Sequence, residues 1–101
     1  MKTYLTFYQN EIRAIELEIR DQNDDAYNPT TAYAWVYNSD GVTVVTEGPC
    51  MVTANKVYVL IGEGVTNTPG EYDVVWRIMK SGDNGDSYRF FHKTRLTVEE
   101  L

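Results

Sequence analysis

EYDVVWRIM, residues 71–79, alternates strictly between two sides. Tyr72, Val74, Trp76 and Ile78 fall on one side, and Asp73, Val75, Arg77 and Met79 on the other. A helix would not keep such sets apart, so the spacing predicts a strand with one face in a core. SGDNGD, 81–86, is a cluster of turn formers and reads as a hairpin loop. SYRFFHKTRLTV, 87–98, then returns with the same alternation. Tyr88, Phe90, His92, Thr94, Leu96 and Val98 share one side, and Arg89, Phe91, Lys93, Arg95 and Thr97 the other.

Working outward from this hairpin, the remaining signals are also β. Residues 2–8 alternate Leu5 and Phe7 with Thr6 and Tyr8. In EIRAIELEIRD, Ile15, Leu17 and Ile19 alternate with Glu16, Glu18 and Arg20, the pattern of a half-buried strand. A helix is the rival there, because Ile12, Ile15 and Ile19 share a helical face, but it would place Leu17 among the polar residues. DQNDDAYNP is a polar loop. AYAWVYN, 32–38, reads as a strand, and SDG, 39–41, as a turn leading into VTVVT. Gly48-Pro49 reads as a break before the short strand CMVTA, and VYVLI, 57–61, as a strand after a turn at Asn55-Lys56. GEGVTNTPG is read as a loop, and no helix is expected. About eight short strands, with turn signals roughly every 8–12 residues, predict a single β-sandwich domain over 1–101.

Length and charge narrow the function. A chain of 101 residues has room for one modest core. No apolar run reaches the ~18 residues of a membrane helix, and the N-terminus MKTYLTFYQNE has no apolar core of a signal peptide. Cys50 is the sole cysteine, so an intrachain disulfide is excluded, which fits assembly in a reducing compartment. The net charge of −6 opposes nucleic-acid binding. The acid excess is concentrated in residues 1–70; residues 71–98 carry four acids and five bases.

No set of residues announces catalysis. His92, the sole histidine, lies on the apolar side of its strand, with no nucleophile motif nearby, and is expected to pack at the sandwich edge. One histidine and one cysteine fall short of the four ligands of structural zinc. Asp21, Asp24 and Asp25 lack the spacing of a calcium loop, and Asp83-Asn84-Gly85-Asp86 reads as a turn. No catalytic, metal or cofactor site is therefore assigned.

The aromatics say more. There are eight tyrosines and two tryptophans. Trp76 is expected in the core, and so is Trp35, in the strand where sandwich folds often bury a tryptophan. Not every tyrosine fits inside so small a domain, and surface tyrosines suit protein interfaces or sugar stacking. The sharpest constellation is the outer face of the last hairpin. Pairing of its strands would display Val75, Arg77, Met79, Arg89, Phe91, Lys93 and Arg95 together, an apolar–cationic docking patch for a partner or a second copy.

The order of EIRAIELEIRD, NPTTAYAWVYNSDG, TPGEYDVVWRI and HKTRLTV resembles the small Ig-like β-sandwich domains of tailed-bacteriophage virion proteins, including N-terminal domains of baseplate proteins. The shared features are Pro69, Gly70 and Tyr72 leading into a strand with a central Trp76, and a last strand ending in Leu96 and Val98. The resemblance implies an antiparallel Ig-like sandwich of about seven to eight strands. It implies a non-enzymatic subunit of a virion, assembled in the host cytoplasm, that decorates a capsid, closes a neck or joins tail parts. Its partners would be other virion proteins and further copies of itself, with no nucleic acid, membrane or cofactor. The length suggests a freestanding subunit. The alternative from the same residues is a carbohydrate- or cell-surface-binding sandwich with tyrosines as stacking platforms.

Overall fold

The computed structural model describes residues 3–81 and 87–101. Eight strands run in chain order: β1 Thr3–Tyr8, β2 Arg13–Glu18, β3 Thr31–Asn38, β4 Thr43–Pro49, β5 Met51–Thr53, β6 Lys56–Ile61, β7 Gly70–Ser81 and β8 Ser87–Glu99. A single helical turn, α1 Glu63–Thr66, precedes β7. The strands form a large sheet of five in the order β1-β8-β7-β3-β4 and a small sheet of three in the order β2-β6-β5. This is an all-β sandwich, and its strand order is that of an immunoglobulin-type fold. One ladder departs from the antiparallel expectation: β1 pairs parallel to β8, Leu5 opposite Leu96 and Phe7 opposite Val98.

Alternation fixes the core. Ile15, Leu17 and Val57 from the small sheet meet Ala34, Val36, Val74, Trp76, Leu96 and Phe7 from the large one. The β3–β7 register sets Ala34 opposite Trp76, so the smallest side chain makes room for the largest. Two polar groups are satisfied inside. The Trp76 indole N–H donates to Thr94 Oγ1 at 3.0 Å, and the Tyr72 hydroxyl donates to the Thr68 carbonyl at 2.7 Å. The second bond ties the start of β7 back to the loop before it, as the tyrosine corner of Ig-type sandwiches does.

The turns follow their chemistry. Asn38 Oδ1 accepts the N–H groups of Asp40 and Val42, each at 3.0 Å, and Gly41 takes a φ of +79° between them. Ala54 and Asn55 join β5 to β6, and Asn55 Nδ2 donates to the Ile19 carbonyl at 3.1 Å, holding the chain just past β2.

Three expectations need correction. Trp35 is not in the core. Ala32, Ala34 and Val36 are buried, so Tyr33, Trp35 and Tyr37 point from the opposite face. Parity makes the choice collective: burying Trp35 would also bury two tyrosines and expel two alanines. The break at Gly48-Pro49 is displaced, since β4 runs through Pro49. The stretch after β6 also contains α1, whose Thr66 hydroxyl donates to the Glu11 carbonyl at 2.8 Å. The loop residues Asp83, Asn84, Gly85 and Asp86 lie outside the described residues.

Candidate functional site

The outward face of the large sheet gathers the aromatic residues of β3 and the cations of β7 and β8. Registers order them in rows. Tyr33, Arg77 and Phe91 form one row, Trp35, Val75 and Lys93 the next, and Tyr37, Asp73, Arg95 and Tyr4 the third. Met79 faces Arg89 at the hairpin end. All seven residues expected from the sequence therefore share one face.

Their roles differ from the expectation. Val75, at 9% exposure, is covered, because its strand is central and bulky rows flank it. Arg77 donates to Glu47 of β4 at 2.6 Å, and its guanidinium lies 4.7 Å from the Tyr33 ring centroid. Its Nε is buried and has no hydrogen-bond partner among the described residues. Arg95 donates to Asp73 at 2.7 Å and to Glu71 at 3.3 Å. The Asp73 carboxylate raises the pKa of Arg95 further, so its charge is fixed. Two of the four cations are thus neutralised by carboxylates, and the patch is less cationic than its sequence suggests. Lys93 keeps its ammonium 5.6 Å from the Tyr37 ring centroid, and the Tyr37 side chain beside it raises its pKa.

The part that sequence reasoning missed is the aromatic row on β3. Trp35 meets Phe91 edge-on, with centroids 6.5 Å apart and planes at 80°. Phe91 is 59% exposed and Trp35 half-buried, so the pair stands at the surface and is braced from beneath. The signal was present in AYAWVYN, where every aromatic has the same parity. At the β3–β4 end, Tyr37, Asn38, Glu71, Asp73 and Arg95 line a polar depression of about 320 Å³.

The other candidates are placed as follows. His92 stands opposite Trp76 on the core side of β8, half-buried, and lines a groove of about 190 Å³ with Leu17, Ile19, Ile78 and Phe90. Burial lowers its pKa. Cys50 is half-buried against the core, and burial pushes its thiol up to about 11, the opposite of what a nucleophile needs. Asp21 Oδ1 accepts the N–H groups of Asn23 and Asp25 at 2.8 and 3.1 Å, so this carboxylate organises its own loop. Among the described residues, no three acidic, histidine or cysteine side chains converge as a metal site. Among the described residues, no helix is long and apolar enough to cross a membrane.

A scan against protein-family models returns no match for this chain, and neither does a search of curated proteins.

Proposed function

We propose that the chain is a non-enzymatic structural protein that works by docking the outer face of its large sheet against another protein. In the narrower form of this reading it is a bacteriophage virion subunit, on a capsid, neck, tail or baseplate. The observation that carries the docking reading is the Trp35–Phe91 pair, exposed on a sheet face and flanked by Arg77 and Lys93. Aromatic and arginine side chains held rigid at a surface are the anchors that dominate protein interfaces. The narrower form rests on the sequence resemblance centred on Pro69, Gly70, Tyr72 and Trp76. Quantitative mass spectrometry of purified phage particles tests it: the chain at fixed stoichiometry supports a virion subunit, and its absence from particles rejects one.

A second reading, a carbohydrate- or cell-surface-binding module, is favoured by Tyr4 and Tyr8 of β1, which are 71% and 49% exposed. It is weaker for the β3 tyrosines, because Tyr33 and Tyr37 already have cations against their rings. A glycan array with Tyr4→Ala and Tyr8→Ala controls separates the two: glycan binding lost in these variants selects the module.

A further inference from the structure

Of the four strands that end a sheet, three are closed to further pairing. On β1, Arg13 donates to the Thr6 carbonyl at 2.8 Å, and Glu11 accepts the Tyr8 N–H at 2.9 Å. These two side chains also pair with each other at 3.3 Å, forming one cap over that edge. On the small sheet, β2 carries Arg13, Glu16 and Glu18 within six residues, and β5 is only three residues long. Charge and shortness are the usual guards of an edge strand. The part of β8 that extends past the start of β1 carries Arg89 and Lys93.

On β4 the guards gather at one end: Glu47 and Pro49 close the strand. The run VTVVT, 42–46, which begins one residue before the strand, contains no charge, proline or glycine. Val42, Val44 and Val45 are 58%, 36% and 39% exposed. Among the described residues, no side chain hydrogen-bonds to the β4 backbone between Thr43 and Gly48. A register shift against β3 leaves Val44 without an opposite residue there. A strand of this composition, ordered on one side and open on the other, is a template for strand addition.

We propose that β4 is a self-association edge: β4 of a second copy adds to it antiparallel, about a two-fold axis normal to the sheet. A second copy is favoured as occupant because its β4 is already held extended by β3, so pairing orders little new chain. The sequence also tolerates the symmetry. Centring the pair on Val44 or Val45 brings Glu47 opposite Gly41 or Thr43, never opposite a second Glu47, and Glu47 is already bonded to Arg77. The two-fold joins the large sheets into one of ten strands. It also keeps both Trp35–Phe91 pairs on the same side, so a dimer presents two docking faces together. This step goes beyond the docking reading and does not depend on what that face binds.

The test is sedimentation of the wild-type chain and Val44→Lys over a concentration series, with Thr46→Lys as the second edge variant and Phe91→Ala as the face control. The expected result is a wild-type monomer–dimer equilibrium. Either edge lysine weakens it by roughly tenfold or more, because each substitution enters a two-fold interface twice. Phe91→Ala leaves it unchanged. Circular dichroism verifies that each variant is folded, and an unfolded Val44→Lys hands the decision to Thr46→Lys. A wild-type chain that stays monomeric at all concentrations overturns the proposal, as does a dimer that survives the edge lysines or is lost in Phe91→Ala. The docking reading fails separately, through Phe91→Ala variants that still join their partner.

Discussion

Ala34 and Trp76 sit opposite each other across the β3–β7 ladder, both buried, while Trp35, one residue along, points the other way. The pair sets the facing of the whole third strand. A tryptophan inside β7 fills the space that a tryptophan on β3 would otherwise need. The protein therefore has one tryptophan for folding and one for its surface.

This division is measurable. Trp76→Ala should cost about 3–5 kcal/mol, the range for deleting a fully buried aromatic. Trp35→Ala, on a half-exposed face, should cost about 1–2 kcal/mol. Ala34→Leu should cost about 1–3 kcal/mol, because the enlarged side chain meets Trp76. Urea unfolding followed by tyrosine fluorescence or circular dichroism reads all three. Equal losses for the two tryptophans would contradict the assigned facing of β3.

The Tyr72 hydroxyl gives a cleaner single-atom test. Its bond to the Thr68 carbonyl is short, at 2.7 Å, and partly buried. Tyr72→Phe removes the donor and keeps the ring, so stability should fall by about 0.5–1.5 kcal/mol. Thermal unfolding would register this as a lower midpoint with an unchanged far-ultraviolet spectrum. No change would mean that water replaces the hydroxyl at no cost.

His92 predicts a pH dependence of known sign. Burial lowers its folded pKa below the ordinary value near ~6.5. Between the two values the unfolded chain binds more protons, so stability rises with pH there. It is complete above about pH 6.5 and declines as pH falls through that value toward the folded pKa. Denaturant midpoints between about pH 5 and 8, compared with those of His92→Gln, isolate the contribution. A wild-type slope that His92→Gln leaves intact would assign the dependence to carboxylates instead.

The hairpin of β7 and β8 was legible because its two strands alternate without interruption and both run long. The β3 register was not. Ala32, Ala34 and Val36 are as apolar as Tyr33, Trp35 and Tyr37, so hydropathy alone cannot say which set faces in. What decides is volume, since Trp76 leaves space only for alanine opposite, and that requires knowing the β3–β7 pairing. Arg77 and Arg95 were correctly placed on the outer face, but their carboxylate partners were not. Glu47 comes from thirty residues away, and Asp73 reaches Arg95 across a ladder. Such pairings follow from register and cannot be read from local charge.

Phe91 carries the last prediction. It is more exposed than Tyr33, Trp35 and Tyr37 of β3 beside it, and its aromatic contact is the edge of Trp35. Removing it should cost the fold no more than about 1 kcal/mol, because the ring is mostly in water and a surface aromatic pair contributes little more. The same deletion should weaken docking strongly, since anchors at the centre of an interface commonly account for about 2 kcal/mol or more each. Arg89→Glu, also on the outer face at the hairpin end, should act mainly on association rate and salt dependence. Incorporation of Phe91→Ala and Arg89→Glu into assembled particles, measured beside their unfolding midpoints, distinguishes the cases. A Phe91→Ala variant that assembles normally would remove the outer face from the mechanism. One that unfolds along with its loss of assembly would return Phe91 to a purely structural role. Only stable folding with lost assembly agrees with a ring kept at the surface for a partner.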